Sequence, residues 1–261
     1  MKPIPEKLKN FLVWQRVPAK AIEFRNINQE ISILIGYSLF YIALGYLFSL
    51  TIIYHPLPIL GTSQFGTDVW YSIVYKFIFL LCVPATIYFF TWEYSCKDLF
   101  LGFRPTVKNS ISTLSFLVLG LLLNSGYIKA IVENFTNFQD AYWRFILGIL
   151  LPLISAALPE ELFFRGYLQT RLEKKYNRIL AITSSSILFA AWHLPSRYLL
   201  STGIEGSAGN FTQILVHTGI PVFLVSLFLG IHWSRCRNIV FIVITHWAID
   251  ILPTVNSFFS I

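Results

Sequence analysis

The chain is built from stretches of about 20 predominantly apolar residues, each the length an α-helix needs to cross a hydrocarbon core roughly 30 Å thick. Nothing constrains the fold more, because a backbone crossing lipid must satisfy its own hydrogen bonds, and a helix does so within one segment. Such stretches run over residues 31–54, 69–92, 110–128, 145–164, 179–194, 214–233 and 239–255. Composition agrees: 55% of the 261 residues are hydrophobic and 13% charged, against about 25% charged in soluble domains. The expected fold class is all-α, a polytopic membrane helical bundle of about seven (six to eight) transmembrane helices. The stretch 133–143 has room for a short interfacial helix.

Basic residues orient the bundle, since cytoplasmic loops are richer in Lys and Arg than external ones. Lys2, Lys7, Lys9, Arg16, Lys20 and Arg25 crowd the N-terminal arm, whereas 55–68 has none. Lys97, Arg104 and Lys108 follow the second span, Arg171, Lys174, Lys175 and Arg178 the fourth, and Arg235 and Arg237 the sixth. The alternate loops hold little more than Lys129, Arg144 and Arg197. The N-terminus is therefore expected in the cytoplasm, the C-terminus outside, and the chain in the plasma (inner) membrane. The net charge of +7 is accounted for by topology and anionic headgroups, with no nucleic-acid partner. Residues 8–22 are expected to lie on the inner surface as an amphipathic segment.

The chain divides into a cytoplasmic arm (1–30), N-terminal transmembrane helices (31–144) and a helical core (145–261), all one membrane domain. Cys82, Cys96 and Cys236 lack Cys-x-x-Cys spacing and are expected as free thiols. The longest weakly structured external loop is 201–212, rich in Gly and Ser.

Polar residues inside the spans carry the functional signal. A charged residue at the centre of a membrane helix costs about 2.5–3.5 kcal/mol on insertion scales, against about 0.3–0.6 regained per large apolar side chain. Such residues usually serve a task. The fourth span ends in Leu158-Pro159-Glu160-Glu161-Leu162-Phe163-Phe164-Arg165. Glu161 and Arg165 are four apart and share a face, while Glu160 points about 100° away, free for another role. Pro159 breaks the hydrogen-bond ladder just before the pair. The bland alternative is that both glutamates mark the helix end. The fifth span contains Phe189 and His193, and the seventh His246 and Asp250, again four apart. An intramembrane aspartate needs a partner, and His246 is the nearest candidate. His55, His217 and His232 flank spans and read as interfacial.

Carboxylates to act as base and histidines to act as acid or donor, without a well-placed nucleophilic Ser or Cys, suit activation of water. His-Glu-x-x-His, Gly-x-Ser-Gly and Gly-x-Gly-Asp are all absent from the sequence, so three other membrane-protease chemistries lack support. Buried Glu, His and Asp also form proton relays, so a proton-coupled transporter or channel is an alternative, as is a non-catalytic immunity or scaffold protein.

The ordered set Glu160-Glu161-x-x-x-Arg165, Phe189-x-x-x-His193 and His246-x-x-x-Asp250 resembles the CPBP family of membrane proteases (CAAX prenyl endopeptidase and bacteriocin-processing, Abi). The resemblance covers about residues 145–253 and implies an intramembrane endopeptidase acting on a membrane-associated protein or peptide, of CAAX type or in related C-terminal or leader processing. Carried across, Glu160 is the general base and His193 its partner; His246 and Asp250 polarise the carbonyl; Glu161 and Arg165 brace the site, and Phe189 packs against it. The family has been described both as metal-dependent and as metal-free, so the implied cofactor is either none or a divalent metal such as zinc on Glu160, His193, His246 and Asp250. The metal-free route is preferred, because nothing here has known zinc-motif spacing. An ionised Asp250 would repel an oxyanion, so it must be protonated, orient a donor such as His246, or hold a metal. A second strain is depth: the predicted spans set Glu160 and His193 on the order of 10 Å apart along the membrane normal.

Overall fold

A computed structural model describes residues 23–54, 71–99, 107–203 and 205–259. The expected surface segment 8–22, His55, the loop 55–68, Arg104 and the side chains of Lys97, Lys108 and Cys236 lie outside the described residues. Eight helices are described: α1 (Ile27–Tyr54), α2 (Val74–Thr91), α3 (Val107–Leu123), α4 (Gly126–Phe135), α5 (Ala141–Lys175), α6 (Arg178–Leu200), α7 (Phe211–Arg235) and α8 (Ile239–Phe259). A two-residue bridge, β1 (Thr202–Gly203) against β2 (Gly206–Ser207), closes the α6–α7 connection.

Six of these helices, all but α3 and α4, are long and apolar enough to cross a membrane. The expected third span is shorter than its apolar run. Its described helix, α3, has 17 residues and rises about 25 Å; just past its end the Asn124 amide donates to the carbonyls of Gly120 (2.9 Å) and Ile249 (3.1 Å). The chain then turns into α4, the short helix expected further on at 133–143. Cys82 and Cys96 are free thiols, as expected.

Large apolar side chains cover the outside of the bundle: Leu39, Phe40 and Leu47 on α1, Phe90 on α2, Leu122 on α3, Ile187 on α6 and Leu224 on α7 are all exposed. Glu160, Glu161, Arg165 and His246 are buried within it. This inversion of the soluble pattern is what lipid as solvent selects, and the protein is an integral membrane protein. Helices approach closely where side chains are small. A Cβ on Gly120 would stand 3.2 Å from the Ala248 backbone, and one on Gly148 would stand 2.8 Å from Val255 Cγ2. α8 is thereby seated against α3 and α5.

α5 departs most from expectation. It does not stop at Phe164 but continues to Lys175, so Arg171, Lys174 and Lys175 ride on its last turns instead of forming a loop. Only Tyr176 and Asn177 separate it from α6, and the Asn177 side chain accepts from the Leu180 amide (2.9 Å) as the α6 cap. Within α5, α-helical turns alternate with wide π-helical ones at Leu153–Ala157 and Leu162–Gln169. Pro152 and Pro159 supply a reason: each lacks the N–H that its i−4 carbonyl would accept, so the ladder slips to i→i+5. α6 likewise runs through Pro195 to Leu200, past the expected stop at Leu194.

Arg171 is buried. Its Nε donates to Glu30 Oε2 (2.6 Å), and the Tyr94 hydroxyl donates to Glu30 Oε1 (2.7 Å). The guanidinium lies 4.9 Å from the ring centres of both Phe24 and Trp92. Burial and the neighbouring carboxylate raise the Tyr94 phenol above its ordinary pKa. This cluster ties the start of α1 and the end of α2 to the end of α5.

Candidate active site

Glu160 sits on the short α-helical turn between the two wide turns of α5 and is almost wholly buried. Its two oxygens face different partners. Oε1 accepts from Lys76 Nζ of α2 at 3.1 Å. Oε2 lies 3.9 Å from His193 Nε2 and 3.7 Å from His246 Nε2. The 10 Å offset expected from the spans is absent, because α5 extends further than its apolar run. Glu160 lies fifteen residues before the end of α5 and His193 fifteen after the start of α6, which puts both at one level above the Tyr176–Asn177 turn.

Glu161 turns the other way. It accepts from His246 at Nδ1 (2.7 Å), and its second oxygen lies 3.1 Å from Arg165 Nε, the pairing expected from the four-residue spacing. Arg165 donates onward to Ser226 Oγ (3.2 Å) and its carbonyl (3.3 Å), which brings α7 to the pair. The Phe189 ring lies 4.8 Å from His193 and 6.0 Å from His246 between centroids, with the Arg165 guanidinium 4.9 Å from its centre. His193 holds its ring by Nδ1 at 2.8 Å from the Phe189 carbonyl. A carbonyl only accepts, so Nδ1 carries a hydrogen, and Nε2 faces Glu160.

His246 bridges α5 and α8. Its Nδ1 faces Glu161, and its Nε2 lies 3.2 Å from Asp250 Oδ2. Asp250 is the most exposed of the four, with a third of its side chain accessible. All four line a cavity of about 400 Å³ together with Lys76, Asn124, Tyr127, Arg197 and Glu205. Arg197 is not in a loop as the spans implied. It sits on the last turns of α6, paired with Glu205 at 2.9 Å.

Lys76 is the site residue that sequence reasoning missed. It lies within an apolar run, where a lysine costs as much as the carboxylates that were noticed. Of the other histidines, His217 is exposed, whereas His232 is buried completely with its ring parallel to Phe228 and does not face the interface.

Zinc ligands stand about 2.0–2.2 Å from the ion, and among the described residues no group of three His, Cys, Asp or Glu side chains is arranged to hold one. Lys76 already places a positive charge on Glu160.

Residues 142–252 match the model of the family described as Rce1-like, type II CAAX prenyl endopeptidase Rce1-like. This segment is similar to that family. It is the family that the three ordered motifs resemble. The matched segment runs from the first turn of α5 into α8 and carries Glu160, Glu161, Arg165, Phe189, His193, His246 and Asp250. Lys76 lies outside it. No curated protein and no solved structure matches the chain.

Proposed function

We propose that the protein is an intramembrane endopeptidase that hydrolyses a peptide bond of a membrane-associated protein or peptide, with Glu160 as general base. The observation that carries this reading is the convergence of His193 Nε2 and His246 Nε2 on one oxygen of Glu160 at the wall of an accessible cavity. The Rce1-like match gives it its reaction class.

The chemistry follows from the two oxygens. Lys76 holds Oε1, leaving Oε2 to accept a proton from water. At 3.9 Å, Oε2 and His193 Nε2 are beyond direct hydrogen-bond reach and at a spacing that one water bridges. With the ring neutral, the Nε2 lone pair orients the second hydrogen. As the proton passes to Glu160, the water oxygen bonds to the scissile carbon. Charge then develops on the carbonyl oxygen beside the His246 ring. Glu161 and Asp250 each set an acceptor-only carboxylate against a ring nitrogen of His246, so both nitrogens carry a hydrogen and the ring is cationic. Its positive charge stabilises the oxyanion, with the Nε2–H shared between Asp250 and the oxyanion as that charge develops. Collapse breaks the C–N bond, and Glu160 returns its proton to the leaving amine. No step requires a metal.

The test compares membrane-protein termini in cells making the wild type or Glu160→Gln. The variant removes the base and keeps the shape, so Glu160-dependent new termini should disappear with a loss of about 10²–10⁴ in rate. Identical termini in both would overturn the reading.

A further inference from the structure

The cavity and the basic residues occupy opposite ends of the bundle. The cavity is lined by Asn124 and Tyr127 at the α3–α4 turn, Arg197 at the end of α6, Glu205 of the α6–α7 connection and Ser257 at the end of α8. All belong to one end. The other end carries Arg25, Lys174, Lys175, Arg178, Arg235 and Arg237, with the arm 1–22 and the segment 100–106 leading into it and adding six more basic residues. The Glu30–Arg171 pair confirms this grouping, because it joins the start of α1 to the end of α5. At the cavity end Lys129, Arg144 and Arg197 are the basic residues outside the membrane core, and each is paired with an acidic neighbour: Glu133, Asp140 and Glu205. The segment 55–70, which joins α1 to α2 at that end, contains no basic residue.

Lysine and arginine mark the cytoplasmic side. We infer that the cavity opens on the non-cytoplasmic face, and that its substrates are the extracytoplasmic segments of membrane-associated proteins or exported peptides. The orientation stands on the charge distribution alone; the substrate class also rests on the endopeptidase reading. The cavity runs from Arg197 and Ser257 at the helix ends to Glu160, so a chain on that face enters without crossing the bilayer. A cytoplasmic C-terminus would have to pass the basic end, where the buried pairs Glu30–Arg171 and Glu173–Arg237 close the bundle.

Thiol labelling with a membrane-impermeant maleimide tests the orientation in intact cells. Cys96, exposed at the basic end, leaves the wild type unlabelled until the cells are permeabilised. Ser207→Cys, on the exposed connection near the cavity mouth, labels fully in intact cells, and Lys174→Cys only after permeabilisation. The reverse pattern, or labelling of the wild type in intact cells, overturns the inference. Mapping the Glu160-dependent termini separates the two readings. Ends within extracytoplasmic segments support the substrate class. Ends at cytoplasmic C-termini overturn it while sustaining the peptidase, and an absence of such ends removes the peptidase while the labelled face stands.

Discussion

Lys76 and Asp250 flank the two reactive groups, Lys76 at Oε1 of Glu160 and Asp250 at Nε2 of His246. Replacing Lys76 by Met removes the charge-assisted bond that fixes Oε1, so kcat is expected to fall about 10–100-fold with little change in KM, and Lys76→Arg to recover part of the loss. Asp250 offers a sharper comparison. If it acts by accepting from His246, Asp250→Asn retains an acceptor oxygen and loses about tenfold in kcat, whereas Asp250→Ala loses about 10²–10³. Equal losses would return Asp250 to the role of a charge or a ligand. Zinc measured by metal analysis in the active wild type and missing from Asp250→Ala would favour the ligand. At this scale the sequence was informative where an acidic residue or a histidine interrupted an apolar run, although Lys76 in the second run passed unnoticed. Glu160, Glu161, His193, His246 and Asp250 stood out for that reason, and the four-residue spacings gave the Glu161–Arg165 and His246–Asp250 neighbours. What spacing within a helix cannot give is contact between helices, so His246 against Glu161, 85 residues apart, and Lys76 against Glu160, 84 apart, emerged only from packing.

Helix boundaries were the least legible feature. The basic residues after Phe164 look like a loop because charge is expected to end a span, yet Arg171 is buried against Glu30 and α5 continues. Pro195 looks like a stop, yet α6 runs through it, as α8 runs through Pro253, since neighbouring helices in a bundle stabilise a kinked helix. α8 carries His246 and Asp250, and its position depends on Gly120 and Gly148. Gly148→Leu would push a side chain into Val255, with an expected loss of about 1–3 kcal/mol from overpacking. Thermal unfolding in detergent should record that loss. Because the displaced helix takes His246 away from Glu161, kcat is expected to fall more than folding alone explains, and unchanged kcat below the melting range would argue that α8 adjusts without moving its site residues.

The whole molecule separates a closed, basic end from an open one. Glu30→Ala leaves Arg171 as an uncompensated buried charge, which typically costs about 3–5 kcal/mol. The melting temperature in detergent should drop, while kcat well below it stays near the wild type, since the cluster lies eleven residues from Glu160 along α5, roughly 16 Å. A kcat loss matching that of Glu160→Gln would instead tie the closed end to the chemistry. The all-α membrane bundle itself was legible throughout, because the apolar runs specify it. The equal distance of Glu160 and His193 from the Tyr176–Asn177 turn has a last consequence. The α5–α6 hairpin acts as a pair of calipers whose arms must match. One residue inserted or deleted in either arm would slide one tip by about 1.5 Å and swing it by about 100°. The stretch between the two residues should therefore accept changes of side chain far more readily than any change of length.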